Sequence, residues 1–208
     1  MKRILATLAL LTAAVSASAV PLTFNASTTA TRTETFNGVT GLPTYATGTT
    51  LQLGALIANE TGTITFTYLG QESGFNNWFN LLINGTSLFE TNAIGTTASA
   101  FVSSLGAVNF QFVGASPNYA TNGGYWSPGT SIGLIGTNTN VTSGAAAGNY
   151  QFILGYNDSA GSATLGDWDD FVVGVNFTPS VPEPGSLALL GLGLAGLGLA
   201  RRRKAATV

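Results

Sequence analysis

The strongest constraint in this sequence is a repeated alternation of period two. Thr63-Ile64-Thr65-Phe66-Thr67-Tyr68 puts Ile64, Phe66 and Tyr68 on one side and threonines on the other. A helix, with a period of about 3.6 residues, cannot gather these residues on one face; a strand does so automatically. The β-branched and aromatic side chains also suit a half-buried pleated surface. Phe110 and Phe112 repeat the pattern, as do Tyr150, Phe152, Leu154 and Tyr156, then Phe171, Val173, Val175 and Phe177. Weaker strands are expected at 33–36, 50–57, 78–83 and 131–135.

Turn signals punctuate these runs: Asn37-Gly38, Thr61-Gly62, Asn84-Gly85 and Asn122-Gly123-Gly124. Asn84-Gly85 predicts a two-residue type I′ hairpin joining 78–83 to 86–90. Phe101, Val102 and Leu105 are spaced to share a helical face, which predicts a short helix over 97–105. Segments 115–130 and 136–149 read as long loops. Many short strands with regular turns and little helical pattern predict an all-β fold, an antiparallel β-sandwich of jelly-roll-like form, over residues 20–179.

Both ends of the chain read as addresses. Lys2 and Arg3 precede the apolar stretch 4–11, and Ala17-Ser18-Ala19 follows. That order is a secretory signal peptide over residues 1–19, cut by signal peptidase between Ala19 and Val20. At the other end, residues 187–200 carry no charge and no hydrogen-bonding side chain. A bilayer-spanning helix needs about 20 apolar residues, so this hydrophobic helix is short. Its glycines are tolerated in membrane helices, and the basic residues after it hold the end on the cytoplasmic side.

The order Val181-Pro182-Glu183-Pro184, short apolar helix, then Arg201-Arg202-Arg203-Lys204 resembles the PEP-CTERM sorting signal of bacterial exported proteins. The resemblance covers residues 180–208. It implies an exosortase-type membrane peptidase as partner and removal of the tail near Pro182-Glu183-Pro184. It also implies transient insertion in the inner membrane, followed by release or attachment at the cell surface. Pro182 and Pro184 suit a processing site because they hold the segment extended and deny it backbone donors.

Between the two ends the only cation is Arg32, against Glu34, Glu60, Glu72, Glu90, Asp158, Asp167, Asp169 and Asp170. One positive and eight negative side chains, a formal balance of −7, make nucleic acid a poor partner. The chain has no histidine and no cysteine. That removes Ser-His-Asp and Cys-His catalysis, His/Cys metal sets and any disulfide framework. Both lysines lie in the removed ends, so a Ser-Lys arrangement is excluded too. A carboxylate-dependent glycoside hydrolase would have to draw on residues such as Glu60, Glu72 or Glu90, and no spacing favours a pair.

Half of the domain's acids fall in Asn157-Asp158 and Asp167-Trp168-Asp169-Asp170, between two strong strands. Like charges so close must be solvated or neutralised, and no lysine or arginine stands nearby in sequence. The expected counter-ion is Ca2+, held by Asn157, Asp158, Asp167, Asp169 and Asp170, since calcium takes several oxygen ligands of these types. The alternative is a solvated acidic loop whose Asp and Asn residues cap turns. Tyr119, Tyr125 and Trp126, with Trp168, are candidate platforms for glycan stacking; the alternative is that they pack into a small loop core. The expected role is a non-enzymatic structural or adhesive protein of the cell surface or extracellular matrix. Its link to exopolysaccharide is implied by the sorting-signal resemblance. A carbohydrate-binding module is the second reading.

Overall fold

In a computed structural model of the chain, the described residues are 20–32, 35, 41–44, 46–114, 119–124, 131–158, 165–180 and 193–194. The signal segment, the Pro-Glu-Pro tripeptide, the basic tail, Asn37-Gly38, Tyr125 and Trp126 lie outside them. The chain divides into two compact units, Met1–Thr178 and Pro179–Val208. In the second, Gly193 and Leu194 have helical backbone. Among the described residues no helix is long and apolar enough to cross a membrane.

The strands are β1 Leu22–Arg32, β2 Thr50–Ala58, β3 Gly62–Gly70, β4 Trp78–Leu81, β5 Thr86–Phe89, β6 Thr97–Val102, β7 Gly106–Ala107, β8 Gln111–Val113, β9 Tyr119–Thr121, β10 Ser131–Val141, β11 Gly148–Asn157, β12 Leu165–Gly166 and β13 Phe171–Pro179. They form an antiparallel sandwich of unequal sheets. The larger runs β12-β1-β2-β10-β11-β13-β3-β6, with β7 also on β2; the smaller runs β5-β4-β8-β9. The short β12 joins its neighbour β1 in parallel.

Alternation produces the main core. Ile64, Phe66 and Tyr68 of β3 are buried with Phe171, Val173, Val175 and Phe177 of β13, and they meet Phe79 and Phe112 from the smaller sheet. Ring centroids lie 4.5 Å apart for Phe66–Phe79, and Phe112 stacks on Tyr156 at 5.4 Å. Each such pair contributes about 0.5–1.5 kcal/mol beyond its buried area. The other face of the larger sheet is also covered in part: Leu69, Ile135, Val141, Tyr150, Ile153 and Val172 form a second cluster. Hence Thr67 is buried although Thr63 is exposed.

Four local expectations are corrected. Residues 97–102 are strand β6, paired with β3 from Gly62–Val102 to Thr67–Thr97. Ala98, Ala100 and Val102 point inward, leaving Phe101 54 % exposed. The free edge of β3 outweighs the helical spacing of three apolar residues. Leu81 pairs with Thr86, so the Asn84-Gly85 hairpin has a four-residue loop. Of its residues only Gly85 has positive φ (74°), whereas type I′ needs two. The stretch 136–149 is mostly strand, since β10 runs to Val141 and β11 begins at Gly148. The stretch 115–130 contains β9.

Strand β1 was not signalled: of its eleven residues only Leu22, Ala30 and Arg32 are buried, so it lacks an alternating pattern. It forms because β2 offers it a long antiparallel edge, from Leu22–Ala58 to Thr31–Thr50.

Candidate functional site

Strands β11 and β13 pair up to Tyr156–Phe171. Antiparallel geometry therefore brings the residue after Tyr156 and the residue before Phe171 together, and the acids converge at this end. Asn157, Asp158, Asp169 and Asp170 are all buried, while Asp167 is half-buried. The four buried side chains are thus not those of a solvated loop.

Each buried carboxylate has its own partners. Asp158 Oδ2 accepts hydrogen bonds from Ser73 Oγ at 2.7 Å and Asn77 Nδ2 at 2.6 Å. Asp170 Oδ2 accepts from the Asp158 backbone N–H at 2.7 Å, and Asn77 Nδ2 also reaches the Asp170 carbonyl at 3.3 Å. Asn77 is in turn fixed by its own N–H, which donates to Glu90 Oε1 at 2.7 Å. The Glu72 N–H donates to the Asp169 carbonyl at 2.9 Å. The segment between β3 and β4, which carries Glu72, Ser73 and Asn77, thus closes over the acids.

The counter-charge comes from far away in sequence. Parallel pairing of β12 with β1 places Arg32 beside Gly166. The Arg32 guanidinium, 1 % exposed, stands 3.5 Å from Asp169 Oδ2. Arg32 is the residue that sequence spacing missed. The available signal was its being the only cation between the two ends. Among the described residues no group of three or more acidic side chains is placed to hold a metal ion.

One arginine cannot neutralise this many acids, so protons are retained. Burial pushes the Asp169 carboxyl up to about 7, helped by the charges of Asp167 and Glu72 and opposed by Arg32. Burial likewise pushes Asp170 up to about 8 against the Asp158 N–H bond, with further upward pressure from Asp158, Asp167 and Asp169. Glu90 is raised by burial, partly offset by the Asn77 N–H. The Tyr156 hydroxyl, buried beside Asp158 and Asp170, is raised as well. Desolvation disfavours the charged form of each group, and neighbouring negative charge compounds it.

Trp168 is no stacking platform. It is fully buried against Ala30, Leu51 and Leu53, and its Nε1 donates to Ser131 Oγ at 2.9 Å. Glycines make the slot: a Cβ on Gly133 would come within 2.8 Å of the indole, and one on Gly155 would overlap the Trp168 carbonyl. Tyr119 belongs to β9, paired with Val113, and is half-buried. Tyr125 and Trp126 lie outside the described residues, so the proposed aromatic set is not brought together among them.

Among the described residues the cluster is a largely buried network of acids around Arg32 and Asn77 at one end of the sandwich. What it can do chemically is hold protons. The remaining functional signal lies in the tail. No curated protein and no solved structure matches the chain. Residues 180–204, which begin just beyond β13 and include the Pro-Glu-Pro tripeptide, the apolar run and the basic cluster, match the family model of the PEP-CTERM protein-sorting motif. The chain therefore carries a PEP-CTERM sorting signal, the mark of an exported protein processed by an exosortase at the cell envelope.

Proposed function

We propose that the sandwich is a non-catalytic structural or adhesive component of the cell surface or extracellular matrix, tied there to exopolysaccharide. The observation that carries this reading is the sorting motif at residues 180–204, attached to a β-domain whose main acid cluster is largely buried. Glu72 is exposed and Glu60 half-buried, but three other carboxylates are committed within the fold: Asp158 to Ser73 and Asn77, Asp169 to Arg32, Glu90 to the Asn77 N–H. A general acid and base must reach a substrate, and these face protein.

The test is expression of the full chain, tagged within the β-domain, in an exosortase-bearing host and in the same host lacking the peptidase. The expected product is shortened only when the peptidase is present, sediments with the cell-surface or matrix fraction, and is freed by enzymatic digestion of the polysaccharide. A shortened product found free in the medium, whatever the state of the polysaccharide, would remove the adhesive role. An unshortened product would remove the sorting step itself.

A further inference from the structure

The N-terminal half of β11 carries a polar surface of a different kind. Asn138 of β10 stands between the pairs Thr137–Phe152 and Thr139–Tyr150, opposite Gln151. Its φ is 48°, and no other non-glycine among the described residues has positive φ. Left-handed backbone at a side-chain-bearing residue is disfavoured, and such positions gather at ligand sites. On the other side, the β11–β13 ladder ends at Phe152–Val175, and side chains take over its hydrogen bonds. The Gln151 N–H donates to Asn176 Oδ1 at 3.3 Å, Asn176 Nδ2 to the Asn149 carbonyl at 3.1 Å, and the Phe177 N–H to Gln151 Oε1 at 2.7 Å. Gln151 and Asn176 are therefore fixed in orientation.

Two depressions, of about 240 and 260 Å³, open here and share Asn138 and Gln151 as lining. The first extends over Phe152 toward the start of β1; the second reaches Asn149 and Asn176. Each is a little smaller than the roughly 300–1,000 Å³ that small-molecule sites occupy, and the two adjoin at Asn138 and Gln151. None of the lining side chains is charged, in a domain otherwise dominated by acids; the α-amino group that cleavage after Ala19 leaves on Val20 falls at the first depression only. Among the described residues the side-chain amides of Asn138 and Asn149 and the Nε2 of Gln151 have no hydrogen-bond partner.

We propose that this carboxamide groove binds an uncharged glycan chain. A carboxamide offers two donors and an acceptor in one plane, which matches vicinal sugar hydroxyls that each donate and accept. The second depression, lined without any charge, gives no anchor to a uronate or phosphate, and half-buried Phe152 in the first supplies an apolar ring edge for a sugar face. Two joined depressions suit consecutive residues of a chain. The proposal deepens the exopolysaccharide reading above and rests on it. It also moves the binding surface away from Tyr119 and Trp168.

The experiment is calorimetric titration of the full-length chain, held in a detergent without a sugar headgroup. The probes are cellohexaose, laminarihexaose and isomaltohexaose, with a galacturonate hexamer as charged comparison. At least one neutral oligosaccharide should bind and the galacturonate should not. Asn138→Gly with Asn149→Ala should weaken that binding about tenfold or more while the melting temperature is kept. Should the double variant melt early, Asn138→Gly alone carries the test, since glycine suits the backbone there. Binding unchanged by the variants would overturn the groove while leaving the exopolysaccharide reading intact. Preference for the galacturonate would overturn the ligand class. Failure of every neutral probe would overturn the proposal, and polysaccharide-dependent retention in the matrix fraction then shows whether the broader reading survives it.

Discussion

At its C-terminal end β11 runs into Asn157 and Asp158, both almost wholly buried; at its N-terminal end it carries Asn149, exposed, and Gln151, half-buried. The strand is ten residues long, so at about 3.3 Å per residue the two ends lie roughly 30 Å apart. One end closes ionisable groups inside the protein, with Arg32 and retained protons as their counter-charge. The other leaves neutral amides open, with side chains in place of ladder bonds. Buried charges must be paired or neutralised, whereas neutral amides cost little at a wet surface. The contrast suits stability at the first end and, under the proposal above, recognition at the second.

The harshest way to break the contrast is Arg32→Met. Removing one partner of a buried ion pair leaves an uncompensated charge and costs about 3–5 kcal/mol. Denaturant unfolding of variant and parent at about pH 8.5 reads that loss, and it should shrink near pH 5, where Asp169 is protonated. An equal loss at both pH values would mean that Arg32 contributes packing and not charge.

A milder probe is pH alone. In the fold burial pushes Asp169 and Asp170 up to about 7 and about 8, from an ordinary aspartate value of 3.8. Between those limits the folded chain holds protons that the unfolded chain has released. Stability is then greatest below about pH 4 on account of these two groups, and falls as pH rises through 7 and 8. The melting temperature should drop by several degrees between about pH 5 and about pH 8.5. A rise over the same interval would contradict the buried arrangement.

Calcium sharpens the same point, because it would compete with those protons and with Arg32 for the same oxygens. With the counter-charge already present, melts in calcium and in chelator should agree within about a degree at either pH. A calcium-dependent rise that grows with pH and is lost in Asp169→Ala would install the ion that the acid spacing suggested.

These outcomes bear on what a sequence can disclose. Ile64, Phe66 and Tyr68, or Phe171, Val173 and Val175, announce their strands because period two is a local property and both segments cross the core. The acid cluster was visible as composition, but its environment was not. Arg32 and Asp169 are 137 residues apart, and their meeting depends on a two-residue parallel bridge. Ser73 and Asn77, the donors to Asp158, sit in a segment without pattern. Trp168 looked like an exposed platform because it stands among aspartates, yet Gly133 and Gly155 had removed the side chains that would have kept it out. The amide groove was hidden for the opposite reason. Asn138, Asn149 and Gln151 are ordinary residues in an Asn-rich chain, and only the register sets them side by side.

The smallest expected effect tests the open end. At Asn138, with φ 48°, glycine removes the left-handed penalty and adds unfolded-state entropy, two terms of similar size and opposite sign. Asn138→Gly should therefore change stability by no more than about 0.5 kcal/mol, whereas Asn138→Val should cost about 1–2 kcal/mol, because a β-branched residue fits that backbone worst. Neither value depends on any ligand. A groove kept for recognition should then lose glycan affinity in both variants alike, although their stabilities differ. Affinity that instead follows stability from one variant to the other would mean that the asparagine only shapes the turn of the backbone, and that the two ends of β11 differ in exposure but not in task.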